Sequence, residues 1–132
     1  MIIYFQKPFL TIYSHEPHRL GYVQWKRFEN SYEYRSGLEA VLALAHDKQV
    51  QNWIFDLKNM SAVRMSDQQW TANEYLPRFF RTNFQKIALI GGEDFFSRTY
   101  IHRMREFMPP LPDLQVNYVP DFDAAMDWIC FG

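Results

Sequence analysis

Two short apolar segments decide the fold, Trp53-Ile-Phe-Asp-Leu57 and Lys86-Ile-Ala-Leu-Ile90. Each has the length of a strand, and a nearly unbroken apolar run is typical of a strand that is buried on both faces. Helical patterns lie between and after them, so strands and helices alternate from residue 50 onward. This alternation predicts right-handed crossovers that place the two segments side by side in one parallel sheet.

The first 28 residues predict antiparallel strands instead. Residues 2–5 and 9–13 are rich in β-branched and aromatic side chains, which favour strands. After a turn at residues 15–19, residues 20–28 alternate between apolar and polar positions, as a strand with one buried face does. We therefore expect a single α/β domain over residues 1–132, in which an antiparallel amino-terminal hairpin precedes β-α-β-α-β-α in one mixed β-sheet.

About four helices are expected, and each has an apolar stripe and a start signal. Ser66-x-x-Gln69 is a capping box that predicts the start of the second helix, and Pro77 predicts that this helix ends or kinks there. Pro109 and Pro110 end the third helix. The residues expected to cap the four amino termini are Asn30, Ser66, Asp94, and Asp121 or Asp123.

Composition and charge exclude several classes of protein. With 48% hydrophobic and 18% aromatic residues the chain can stabilise a folded core, which excludes disorder. The net charge of -1 is too balanced for general attraction to nucleic acid or to a membrane surface. Cys130 is the single cysteine, which excludes a disulfide framework and favours a reducing compartment. Residues 1–8 do not resemble a signal peptide, so we expect a cytoplasmic protein.

Catalytic motifs are missing from the sequence. It contains no phosphate-binding P-loop, no dinucleotide-binding glycine pattern, no nucleophile elbow and no H-E-x-x-H helix. The sequence therefore predicts no catalytic residue, no metal site and no cofactor. An enzyme of unrecognised type is less favoured than a protein-interaction module or a domain that binds a small ligand.

Polar residues at the carboxyl ends of the strands are the best candidates for a partner or ligand surface. In open α/β sheets, ligands bind beyond these ends of the strands. Asp56, Lys58 and Asn59 follow the segment at 53–57, and Asp94 follows the segment at 86–90. Asp67 and Trp70 on the second helix complete the predicted surface.

The order of elements resembles the STAS fold, and more narrowly the bacterial SpoIIAA-like (STAS/SEC14-type) proteins. The resemblance spans nearly the whole chain and implies a non-enzymatic regulatory module that binds a protein partner or forms a homodimer. The segments that carry it are Val23-Gln-Trp25, Tyr34-Arg35-x-Gly37-Leu38-Glu39, Trp53-Ile-Phe-Asp56-Leu57, Asp67-x-x-Trp70, Lys86-Ile-Ala-Leu-Ile90 and Ala124-Ala-Met-Asp-Trp128.

The resemblance also implies a site of phosphorylation. In the anti-sigma-factor antagonists, a strand ending in Asp-Leu leads to a helix whose first turn carries a serine that a partner kinase phosphorylates. Here Asp56-Leu57 ends a strand segment, and Ser66 stands about where one of that family's paired serines would lie. The second serine and the glycine of the family's pattern are missing, because the sequence reads Arg64-Met65-Ser66-Asp67.

The alternative function is binding of a small apolar or nucleotide ligand in a pocket lined by aromatic residues near Trp70. A closed pocket of several hundred Å³ would favour this alternative, whereas a flat surface at the strand ends would favour a protein partner.

Overall fold

The computed structural model describes residues 1–91, 102–106, 108 and 110–132. Among these residues, six strands form one sheet in which they lie in chain order. Neighbouring strands are antiparallel from β1 to β3 and parallel from β3 to β6, so the predicted mixed sheet is confirmed. The strands are β1 (Ile2–Lys7), β2 (Leu10–His15), β3 (Leu20–Trp25), β4 (Asn52–Asp56), β5 (Lys86–Ile90) and β6 (Gln115–Val119).

Helices follow the parallel strands, which confirms the predicted α/β class. A π-helical turn, Thr71–Tyr75, joins α2 to α3 in one continuous helix, and residues 102–106 are also helical. The predicted third helix includes Asp94, Phe96 and Tyr100, which lie outside the described residues. Apart from residues 102–106, the helices of the described residues are α1 (Ser31–Asp47), α2 (Met65–Trp70), α3 (Leu76–Phe79) and α4 (Phe122–Phe131).

The central prediction, that the two apolar segments are neighbours, is confirmed. β4 and β5 pair in parallel, with Trp53 opposite Ile87 and Asp56 opposite Ile90. The preceding strand ends earlier than predicted, at Trp25 rather than at residue 28. The chain leaves the sheet there because the Phe28 ring turns into the core and packs 5.8 Å from the Trp25 ring.

Helices cover the two faces of the sheet unequally. α1 and the α2–α3 helix pack on the first face, the face that carries Trp53 and Phe55. Among the described helices, α4 alone packs on the second face, against Ile54 and Ala88. Gly21 lies beside Trp53 on the first face, where a Cβ would lie 2.5 Å from Cζ3 of this fully buried ring. Position 21 of β3, which lies beside Trp53, can therefore hold only a residue without a side chain.

Two of the predicted caps are confirmed. Oδ1 of Asn30 accepts the backbone N–H of Glu33, and Oδ1 of Asp121 accepts that of Ala124. Each carboxyl or amide oxygen satisfies a donor that has no partner within its own helix. The apolar stripe predicted for α1 is buried along its length, at Tyr34, Leu38, Val41, Leu42 and Ala45.

The prediction that Ser66 caps α2 is wrong. The helix begins at Met65, with Arg64 in the cap position, and Ser66 is exposed in the first turn. The side chain of Gln68 donates to the carbonyl of Val63 and stabilises this start instead. In this helix, the carboxylate of Asp67 is buried and accepts a hydrogen bond from Ser31 at the start of α1.

Pro77 does not end the helix, since α3 continues to Phe79, and the other predicted outcome, a kink, stays a prediction. Proline cannot donate a backbone hydrogen bond and its ring crowds the preceding turn. The π-helical turn before it resolves this conflict, because the N–H of Leu76 bonds to the carbonyl of Thr71, five residues back. Within the described residues, no helix has the length and the hydrophobicity needed to cross a bilayer.

Candidate ligand cavity

An apolar cavity of about 140 Å³ lies against the first face of the sheet. On the sheet side it is lined by Phe55, Leu89 and Val116 of three adjacent parallel strands. These side chains are only half-buried, although they belong to the parallel part of the sheet. Among the described residues, the helices that cover this face therefore leave a gap over β4, β5 and β6.

Side chains from two helical segments line the remainder of the cavity. Tyr75 and Phe79 come from the π-helical turn and α3, where their rings stack at 5.9 Å. Met104 and Met108 come from the segment that precedes β6. Methionine is flexible and polarizable, so a wall that contains two of them can adapt to ligands of different shapes.

The hydroxyl groups of Thr71 and Tyr75, which line the cavity, are already hydrogen-bonded. The Thr71 hydroxyl donates to the Asp67 carbonyl at 2.7 Å and lies 2.6 Å from the Tyr34 hydroxyl. The Tyr75 hydroxyl donates to the carbonyl of Leu38 at 2.7 Å. Because the lining is mostly apolar and its hydroxyl groups are satisfied, the cavity favours apolar molecules over ordered water.

The cavity is smaller than the predicted ligand pocket of several hundred Å³. Its volume is close to that of a cavity of roughly 150 Å³ that binds benzene in another protein. A ligand of about six carbon atoms therefore matches it, whereas a nucleotide does not. Trp70 does not line it, but its ring lies 5.7 Å from that of Tyr75, which does.

Asp67, a member of the predicted surface, has a structural role. Its carboxylate is 1% exposed and accepts hydrogen bonds from Ser31 Oγ at 2.7 Å and from Arg35 Nε at 2.9 Å. The Arg35 guanidinium also lies over the Trp70 ring, 4.8 Å from its centroid. These contacts join the start of α1 to α2, and they leave the Asp67 carboxylate no surface to offer to a partner.

Asp56 and Asp67 do not converge on one site. Asp56 is 5% exposed and follows Phe55 on β4, so it points to the second face of the sheet, whereas Asp67 lies with α1 on the first face. The Asp56 carboxylate accepts the backbone N–H of Lys58 at 3.1 Å. On the same face, burial first and the nearby charge of Asp56 second raise the pKa of Tyr22 to about 12.

The remaining predicted residues are spread over the surface. Lys58 and Asn59 are exposed in the turn after β4, and Ser66 is exposed on α2. Asp94 lies outside the described residues. Among the residues that are described, no three His, Cys, Asp or Glu side chains lie close enough to hold a metal ion. The described members of the predicted surface therefore form no single site.

Sequence reasoning missed the residues that line the cavity. Leu89 and Val116 read as ordinary strand residues, and Met104 reads as part of a helix stripe. The signal that could have found them is the pair Met104 and Met108, four positions apart. Two flexible methionines at this spacing are typical of an adaptable apolar wall.

Comparison with known proteins adds no relative to this description. No protein-family model, curated protein or solved structure matches the chain.

Proposed function

We propose that this protein is a non-enzymatic binding domain for a small apolar ligand, which occupies the cavity over β4, β5 and β6. The observation that carries the proposal is the cavity itself, with its apolar lining and its satisfied polar groups. The favourable free energy of burying about six carbon atoms, less the entropy cost of binding, corresponds to a dissociation constant of about 1 mM for a minimal probe. A natural ligand with further contacts binds more tightly.

Titration of the protein with hexan-1-ol, followed by NMR chemical shifts of the methionine methyl groups, tests the proposal. We expect saturable shifts at Met104 and Met108, which line the cavity. Val116→Phe places a ring in the cavity and should abolish them. Gln115→Phe is the matched control, because it introduces the same ring at an exposed position on the same strand. Methyl chemical shifts that do not saturate with hexan-1-ol, or equal binding by both variants, would contradict the proposal.

The protein-interaction module implied by the STAS-like resemblance is a second candidate, and the open edge of β1 favours it. β1 pairs only with β2 among the described residues, and Ile2 and Ile3 are 72% and 50% exposed. An unpaired edge with exposed apolar side chains is a template for a further strand. A second copy of the chain is the partner proposed, since two such edges can pair antiparallel around a two-fold axis.

Sedimentation equilibrium tests this second candidate. We expect a monomer–dimer equilibrium that Ile3→Lys shifts toward the monomer, because a charged edge strand resists pairing. Tyr118→Lys is the control, since it places the same charge on the opposite edge strand, β6. A monomer at every concentration would exclude the dimer and leave the ligand proposal unaffected. Phosphorylation of Ser66, which the resemblance implies, stays a prediction for either function.

A further inference from the structure

Arg105 is the one charged side chain among the described residues that line the cavity. It is also exposed, so it reaches both the cavity and the solvent and stands at the mouth. Arg78, by contrast, bonds to Glu39 at 2.7 Å. Within the described part of the chain, Arg105 forms no ion pair with a carboxylate. Its charge is therefore available to an anion at the mouth of the cavity.

Tyr118 holds the Arg105 guanidinium in place. Nη1 of Arg105 donates to the Tyr118 hydroxyl at 3.4 Å, and the guanidinium carbon lies 5.6 Å from the centre of the Tyr118 ring. The hydroxyl accepts this bond and keeps its own hydrogen free to donate. The two side chains thus present N–H and O–H donors together beside an apolar volume.

We propose that the ligand is a monocarboxylate with an apolar tail of about six carbon atoms, bound tail-first with its carboxylate on Arg105 and Tyr118. This inference rests on the proposed ligand-binding function. The length follows from the cavity of 140 Å³, which matches a six-carbon molecule. The head group follows from geometry and charge, because a planar guanidinium fits a carboxylate in a bidentate manner and a single cation balances a single negative charge.

Three probes of six carbon atoms each test the head group: hexanoate, hexan-1-ol and hexylamine. We expect hexanoate to bind about five- to tenfold more tightly than hexan-1-ol, a modest gain because the cation is exposed to solvent. Hexylamine should bind the least. The preference for hexanoate should fall as salt is added, since ions screen charges at the surface.

Two arginine variants complete the experiment. Arg105→Gln should lose the preference for hexanoate and keep the binding of hexan-1-ol. Arg103→Gln is the matched control, because Arg103 lies on the same helical segment but bonds to Gln68 at 3.4 Å and does not line the cavity. Equal binding of hexanoate and hexan-1-ol, or a preference that survives Arg105→Gln, would overturn this inference alone. Failure of all three probes to bind would overturn the proposed function as well.

Discussion

Replacing Val116 by phenylalanine and repeating the same change at Val119 distinguishes a real cavity from ordinary packing. Both residues lie on β6, three positions apart, so their side chains point to opposite faces of the sheet. Val116 lines the cavity and is half-buried. Val119 is 8% exposed and belongs to the core under α4. The two substitutions add the same ring and are expected to change stability in opposite directions.

The magnitudes follow from the volumes available. At about 24 cal/mol per Å³, an empty cavity of 140 Å³ costs about 3 kcal/mol, which is the upper limit of what filling it can return. One ring fills part of a cavity that is open to solvent, so Val116→Phe should raise the free energy of unfolding by about 0.5–2 kcal/mol. Val119→Phe enters a filled core and should lower it by about 1–3 kcal/mol.

Urea unfolding followed by far-ultraviolet circular dichroism measures both values. The slope of the unfolding free energy against urea should be unchanged, which shows that the variants unfold as the parent protein does. Equal destabilisation by the two substitutions would mean that the space beside Val116 is not available to a side chain. That result would refute the cavity and, with it, the proposed ligand site.

Three further predictions concern the framework around the site. Gly21→Ala should destabilise the protein by about 1–3 kcal/mol because its Cβ would lie 2.5 Å from the Trp53 ring. Gly91→Ala should not destabilise it, because no atom of the described residues would lie within 4 Å of the new Cβ. Equal urea midpoints of the two variants would contradict this prediction. Asp121→Ala should cost about 0.5–2 kcal/mol through loss of the α4 cap, measured by urea unfolding against the parent protein. The folded-state pKa of Tyr22, about 12, lies above its unfolded value of 10.0, so its contribution to stability is complete below pH 10.0 and is lost as the pH rises toward 12. In Tyr22→Phe, the free energy of unfolding should fall less over this pH range. An unchanged dependence of stability on pH would show that Tyr22 is not the source of the fall.

Local patterns were sufficient to predict much of the fold. The apolar runs that became β4 and β5 predicted neighbouring parallel strands, and the helical stripe of α1 predicted its buried face. The caps at Asn30 and Asp121 were predictable because a cap joins residues three positions apart. Each of these features depends on residues that are close in the sequence, and side-chain periodicity reports such features directly.

Contacts between distant residues could not be predicted in this way. The sequence predicts Asp67 on the surface, but its carboxylate is buried against Ser31 and Arg35 on another helix. The spacing of Ser66 to Gln69 fits a capping box and predicts a cap at Ser66, yet α2 begins at Met65. For Asp67, the deciding contacts span more than thirty residues, which no local pattern reports.

The amino-acid sequence alone determined which segments become strands, that the opening strands are antiparallel and the later ones parallel, and which faces the helices bury, because these follow from side-chain periodicity and from the alternation of strands with helices. Only the tertiary structure decided that the layers stay apart over Phe55, Leu89 and Val116 and that Arg105 stands at the opening. Periodicity tells which side chains point inward. It contains no information on how closely two packed layers approach, and that distance creates the cavity.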